Sequence, residues 1–350
     1  MKSDRAGRAG RSPTIQDVAR LAGVSVATVS AVINGNIPVS PRRTELVRTA
    51  MSRLQYQPDE RARVLRTGRS RTLGVVVPDV TNPFYPEILR DFEHSARQHG
   101  YSVLLCDSEN SSELEREHLL QLSARRVDGA LVACVSSRTT YDWLMDRGFP
   151  VVFFERIPLA GDFNAVSTDH RAAAKEATRH LIGLGHRSIV FFLGDASLSS
   201  NSARIEGFRE AMASAGLAVS PDGVAPAMYS AENAVQRAIS LLAKPRRPTA
   251  ILCSNSVLLL GAARAARELG LICPRDLSMM CFDNPTWTAH FPPPITTMAQ
   301  PTAEIASAAI SMILDQISRA PGSRARGAMQ WLSDQLVVRQ STGPCRQLLT

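Results

Sequence analysis

Six short apolar runs in this chain end in a residue able to hold a polar ligand. They are LGVVVPD (73–79), YSVLLCD (101–107), VVFFE (151–155), SIVFFLGD (188–195), TAILCSN (249–255) and LSMMCFD (277–283). A seventh, GALVAC (129–134), lacks such an end. Parallel sheets bind ligands beyond the carboxyl ends of their strands, where Asp79, Asp107, Glu155, Asp195, Asn255 and Asp283 would fall. Each also has a plainer reading as a turn residue or helix cap. Catalytic sets do not emerge. The seven histidines form no HExxH or HxH, and the chain has no GxSxG, Walker loop or GxGxxG. Its six cysteines are scattered without a CxxC pair, which argues against a zinc site or a disulfide framework. The chemistry expected is binding, without catalysis, metal or cofactor.

A second group of small polar residues sits near the N-terminus, in Ser25-Val26-Ala27-Thr28-Val29-Ser30-Ala31 and at Asn34. The net charge of +8 singles out the same region. Residues 1–71 hold 14 basic and five acidic side chains, and the rest of the chain is near neutral. A basic head on a neutral body points to a polyanion, most simply nucleic acid.

The head is patterned to position those residues. Thr14 and Asp17 read as a capping box, followed by apolar Ile15, Val18, Ala19 and Ala22 at helical spacing and by Gly23 as a stop. Ser25 caps a second helix from Val26 to about Asn34, with Val29, Val32 and Ile33 inward. Ser40-Pro41 opens a third to about Leu54, with Leu46, Val47, Ala50 and Leu54 inward. Two short helices around a glycine turn, with a third as support, make a helix-turn-helix. Val26, Ala27 and Ala31 would then face base edges, with Ser25, Thr28, Ser30 and Asn34 donating to phosphates or bases.

IQDVARLAGVSVATVSAVING, with VSPRRTELVRTAMSRLQYQPDERARVLRTG after it, closely resembles the N-terminal domain of the LacI/GalR family of bacterial repressors. The resemblance implies base-reading positions at Val26, Ala27 and Ala31 and phosphate contacts from Tyr56 and Asn34. It implies a hinge helix over Asp59–Leu65 with Leu65 as a minor-groove wedge. Two positions depart from the family pattern. Ala31 stands where a long polar or basic reader is common, and Asp59 stands where Asn is usual.

The body alternates its apolar runs with helical stretches at 83–99, 112–125, 170–184, 202–215 and 256–269. That pattern means α/β architecture with two parallel sheets. The resemblance continues through VTNPFYPEIL, HLIGLGHRSIVFFLGD, SSNSARIEGF, CFDNPTWTAHFPPPITTMAQP and LVVRQSTGP, and implies a periplasmic-binding-protein-like core of two subdomains around a cleft. It implies ligand contacts from Phe84, Tyr85, Glu155, Arg204, Tyr229, Asn255 and Asp283. Glu155 replaces a usual aspartate. An Arg, an Asp, an Asn and aromatic faces suit a sugar or nucleoside ring.

The expected organisation is a disordered basic tail (1–13), a helix-turn-helix domain (14–58), a hinge helix and linker (59–71) and a core over 72–345 for effector binding and dimerisation. Within the core, subdomain one is expected over about 72–168 and 296–328, and subdomain two over about 169–295 and 329–345. The function expected is a transcriptional regulator, usually a repressor, acting as a homodimer on a near-palindromic double-stranded DNA operator under control of a small effector. Gating by a protein partner or corepressor stays open. A sugar-transport component is the alternative from another class, opposed by the basic head. No apolar run approaches the roughly 20 residues that cross a membrane. The basic N-terminus, with no apolar segment after it, predicts no secretory signal and a cytoplasmic location.

Overall fold

The computed structural model describes residues 13–34, 37–57, 68–227, 230–319 and 327–345. The chain divides into two compact units, 1–70 and 71–350.

In the first unit, helices α1 (Ile15–Ala22), α2 (Val26–Asn34) and α3 (Pro41–Leu54) fall where the caps predict. Thr14 and Asp17 form the reciprocal capping box, and Gly23 ends α1 at φ +64°, a conformation that a Cβ would disfavour. Val18, Ala19, Ala22, Val29, Val47 and Ala50 make the core, with Ile15, Val32, Ile33 and Leu54 packed on its edge. Leu46 does not join it. The side chain predicted inward is 45% exposed, because Val47 and Ala50 already fill the face of α3 that meets α1. Ser40 precedes Pro41 as predicted, but its side chain makes no capping bond.

The second unit holds two six-stranded sheets. The first, in the order β11-β5-β4-β3-β1-β2, is wholly parallel. It contains β1 (Thr72–Val77), β2 (Ser102–Asp107), β3 (Gly129–Val132), β4 (Val151–Phe154), β5 (Asn164–Thr168) and β11 (Met329–Leu332). The second runs β12-β10-β9-β8-β6-β7, with only β12 antiparallel. It contains β6 (Ile189–Leu193), β7 (Val224–Pro226), β8 (Ala250–Cys253), β9 (Ser278–Phe282), β10 (Thr296–Ala299) and β12 (Gln335–Val337). The helices between strands are α4 (Phe84–Gln98), α5 (Ser112–Ala124), α6 (Asp142–Met145), α7 (His170–Gly183), α8 (Ser199–Ser214), α9 (Ala231–Leu242), α10 (Ser256–Glu268) and α11 (Thr302–Ser318). They cover both faces, so the central strands are buried along their whole length, as in β4, β6 and β9.

The chain crosses between sheets three times, after β5, after β10 and after β11. The subdomain boundaries predicted at 296 and 329 therefore need correction. Strand β10 pairs with β9, Thr297 opposite Cys281, and belongs to the second sheet. Strand β11 pairs with β5, Met329 opposite Ala165, and belongs to the first. Of the intervening segment, α11 alone is placed as predicted. It buries Ile305, Ala306, Ala309, Ile310 and Ile313 against the first sheet. Close helix contact steadies the second subdomain. A Cβ on Gly207 of α8 would collide with the Arg171 carbonyl of α7, so only glycine lets the two backbones touch.

Candidate functional site

At the head, the Ser25 hydroxyl accepts the Thr28 amide at 3.1 Å and lies 2.9 Å from the Thr28 hydroxyl. This cap closes the start of α2 on itself and leaves Val26, 42% exposed, and Ala27 standing outward on the first turn. The positive end of α2 and the exposed Arg42, Arg43, Arg48 and Arg53 of α3 place positive charge on the surface of the unit, as binding to a polyanion needs. Ser30 is half-buried, and Tyr56 packs on the edge of the head core. Asn34 closes α2. Ala31, expected at a base-reading position, is buried. Asp59 and Leu65, and with them the predicted hinge helix, lie outside the described residues, as does nearly all of the basic tail.

In the core, Phe84, Tyr85, Glu155, Arg204, Asn255 and Asp283 all line one polar cavity, together with Asn82, Arg156, Ser254 and Gln300. It holds about 20 Å³ of free space, room for about one water. Tyr229 lies outside the described residues. The other strand-end acids serve turns. Asp79 accepts from the Thr81 amide and hydroxyl, Asp107 from the Val80 and Glu109 amides, and Asp195 from the Ser197 amide. Asn255 does both jobs: its Oδ1 caps α10 through the Leu258 amide at 2.9 Å while the residue faces the cavity.

Glu155 and Asp283 share a feature that the sequence does not announce. Both have left-handed backbones, at φ +56° and +69°. A non-glycine residue there carries strain of about 1–3 kcal/mol, and such residues gather at functional sites. The sharp turn at each strand end sets the carboxylate on the cavity wall. Glu155 accepts from the Tyr85 hydroxyl at 3.4 Å and lies 3.5 Å from Arg156. Asp283 accepts from Gln300 Nε2 at 3.0 Å, and burial pushes its carboxyl up to about 6 against the pull of Arg204. Phe84 and Tyr85 open α4 and meet edge to face, 5.2 Å between ring centres.

Arg204 is the least satisfied member. Its Nη1 donates to the Ser254 carbonyl at 3.1 Å, and its guanidinium sits 4.2 Å from the centre of the Phe282 ring. Its Nε and Nη2 are buried without a partner, and so are Ser254 Oγ and Gln300 Oε1. Beside the cavity, at the third crossover, both carboxylate oxygens of Asp334 are also buried, with the Thr168 hydroxyl close by. Burial pushes that carboxyl up to about 7, with Arg204 and the nearby Thr168 hydroxyl acting the other way. Unbonded buried groups cost about 1–3 kcal/mol each, so a cluster of donors and acceptors left open in one place reads as a site built for a ligand.

The sequence matches two family patterns: bacterial regulatory proteins of the lacI family over residues 14–59, and the periplasmic binding protein-like domain over residues 178–342. The HTH-type transcriptional repressor PurR of Vibrio campbellii is 34% identical over 306 residues, 87% of this chain and 92% of the relative. The chain belongs to the lacI family of bacterial regulators. This lacI-family repressor also resembles, at 27% identity and a TM-score of 0.82, the lac repressor dimer solved with operator and the anti-inducer ONPF, over 95% of this chain and all of that one. A LacI family regulator from Enterococcus faecium, solved with bound ribose, is 28% identical with a TM-score of 0.70, over 79% of this chain and all of that one. The helical head is thus the DNA-binding domain of a transcriptional repressor, and the two-sheet unit is its periplasmic-binding-protein-like core. It is a regulator, not an enzyme. Among the described residues, no single helix is long and apolar enough to cross a membrane.

The sequence reading missed Asn82, Arg156, Ser254, Gln300 and Asp334. Ser254 could have been found, because it lies inside the quoted CSN. So could Asn82, in VTNPFYPEIL, and Gln300, in MAQP, each within a segment of the family resemblance, whereas Asp334 sits on a crossover that no periodicity marks.

Proposed function

We propose that a small ring-shaped polar ligand, of the sugar or nucleoside class, binds in the cavity around Arg204 and Asp283 and controls how this repressor holds its operator. The observation that carries the reading is the set of unbonded buried groups: Arg204 Nε and Nη2 as donors, Gln300 Oε1 as acceptor and Ser254 Oγ as either. Adjacent hydroxyls of such a ring donate and accept at once, and so answer both kinds of group. The ribose bound by the Enterococcus faecium relative has this chemistry.

The cavity also explains how the ligand would act. Its walls come from both sheets, yet its free space is about 20 Å³, far less than a sugar ring needs. Entry of the ligand and a change in the angle between subdomains are then a single event, and the ligand shifts the population of arrangements by its differential affinity for them. DNA is bound as a homodimer on a near-palindrome, since one helix-turn-helix reads only a few base pairs. The test is fluorescence anisotropy of labelled operator, titrated with the protein and then with a panel of sugars and nucleosides. The expected result is that one member changes operator affinity at least tenfold, and that a half-site binds far more weakly than the palindrome. If no member of the panel changes operator binding, the assigned ligand class is wrong.

A further inference from the structure

A second, larger cavity of about 200 Å³ lies beside the polar one and shares Glu155 as a wall. Ile157 and Ser167 line it from the ends of β4 and β5, Trp331 from β11, His170 and Arg171 from α7, and Ser199 and Ala203 from α8. The first sheet and the helices of the second thus meet around it.

Its polar walls are already bonded. The Ser167 hydroxyl donates to the Glu155 carbonyl at 3.1 Å, and the two ring nitrogens of His170 lie 3.2 Å from the Ser167 and Thr168 hydroxyls. Ser199 Oγ accepts the Ile157 amide at 3.1 Å, Asp169 Oδ1 accepts the Ala172 amide at 2.9 Å, and the Arg171 guanidinium is held by Glu210. Burial keeps His170 neutral by pushing its pKa well below the ordinary value. These walls offer a ligand little hydrogen bonding to replace what it would lose from water. They offer the indole of Trp331, 55% exposed on an edge strand, with the side chains of Ile157 and Ala203. An apolar pocket of about 150 Å³ is already large enough for benzene.

We propose that this cavity binds an aromatic ring, seated against Trp331 and touching both subdomains. The ring is either a free small aromatic molecule or the aromatic substituent of a ligand whose polar part occupies the neighbouring cavity. The second source rests on the function proposed above, and the first does not. Burying the exposed indole face and the ring supplies the affinity. A ring lodged between β11 and the starts of α7 and α8 would favour one angle between the subdomains.

The experiment uses the full chain with Trp143→Phe and Trp287→Phe, which leaves Trp331 as the sole tryptophan. Its emission is followed during titration with 4-nitrophenol, with 4-nitrophenyl glycosides and with the parent sugars. Saturable quenching is expected, weakened at least tenfold by Ala203→Leu, which fills the cavity. Calorimetry on Trp331→Ala, a change at an exposed edge position, should show the same weakening if Ala203→Leu lowers the melting temperature too far to be read. Saturation by free 4-nitrophenol assigns an independent aromatic site. Saturation by the glycosides alone assigns a substituent subsite. Quenching that stays linear for every aromatic compound, or saturation that neither variant weakens, overturns the proposal. Operator anisotropy on the same samples keeps the two readings apart. If no sugar affects DNA but 4-nitrophenol still saturates, the polar-ligand function fails and the aromatic site stands.

Discussion

The two functional regions of this repressor use opposite physics. In the head, the residues expected to meet DNA stand outside a structure whose hydrogen bonds are already made: Ser25 and Thr28 bond each other, and Val26 and Ala27 protrude beside them. In the cleft, the residues proposed to hold a ligand are buried, and Arg204, Ser254 and Gln300 each keep at least one polar atom unbonded. DNA is large and brings its own shape, so the head needs only a rigid, exposed helix start. A small ligand must be enclosed, and on the function proposed above the cleft holds polar groups out of water for it at a cost in stability.

The largest effect should come from the cleft. Arg204→Ala or Asp283→Ala removes a charged partner of the ligand and should weaken its binding by about 1.5–3 kcal/mol, or about 10- to 150-fold. Operator affinity without ligand should stay within twofold of wild type, because neither residue belongs to the head. Anisotropy with and without ligand measures both. If DNA binding falls as far as ligand binding does, the division between exposed and buried function breaks down.

Asp334→Asn tests whether the buried polar groups of the cleft cost stability. The Asp334 carboxyl is pushed up to about 7 from an ordinary value of 3.8. Between about pH 4 and pH 7 the folded chain keeps a proton that the unfolded chain has lost, so stability falls as pH rises through that window. The variant should match wild type near pH 4 and exceed it at pH 8 by about 1–3 kcal/mol, discounted from the full linkage value because the residue is partly exposed. Asp283, raised to about 6, gives a slope of the same sign, and that slope should survive in the variant up to about pH 6. Chemical denaturation at pH 4, 6 and 8 reads all three points. A variant no more stable than wild type at pH 8 would mean that Asp334 is already well partnered.

Val26→Ala probes the protruding side of the comparison. Val26 is 42% exposed, so its methyl groups contribute little to folding and are free to meet a thymine methyl in the major groove. Losing two methyl groups of contact should cost specific binding about 1 kcal/mol, or roughly fivefold. Non-specific binding and the melting temperature should stay unchanged. An equal loss on random DNA would show that this position contacts the backbone and not a base.

The two regions also differ in how far the sequence reveals them. All three head helices follow from local signals, because capping by Thr14 and Ser25, the stop at Gly23 and Pro41 at a helix start act within a few residues. The seven long apolar runs likewise become β1, β2, β3, β4, β6, β8 and β9. Strand β11 was not legible. At a sheet edge Met329, Gln330 and Trp331 are exposed, so the apolar run that marks a buried strand is missing. The cleft was half legible. Glu155, Asn255 and Asp283 were named from their places at strand ends and Arg204 through the family resemblance, but the left-handed turns at Glu155 and Asp283 and the arrival of Gln300 and Asp334 on crossovers come from the tertiary fold.

The smallest effect concerns the cap that holds the head rigid. Thr14 and Asp17 do not share the box equally. The Asp17 amide reaches Thr14 Oγ1 at a long 3.4 Å, whereas Asp17 Oδ2 accepts the Thr14 amide at 3.0 Å and the Thr14 hydroxyl at 2.7 Å. The carboxylate also sits in the first turn of α1, where the helix dipole favours negative charge. Thr14→Ala keeps the amide-to-carboxylate bond and loses only the weak cap and one hydroxyl bond, so it should cost about 0.5 kcal/mol. Asp17→Ala loses both bonds and the charge, and should cost about 1 kcal/mol. Because the chain divides into two units at residue 70, these losses should lower the melting transition of the head and leave that of the core in place. Differential scanning calorimetry resolves the two transitions. If Thr14→Ala costs more than Asp17→Ala, the hydroxyl cap and not the carboxylate rigidifies α1. If the core transition moves as well, head and core melt as one body, and the separation of exposed from buried function would not extend to stability.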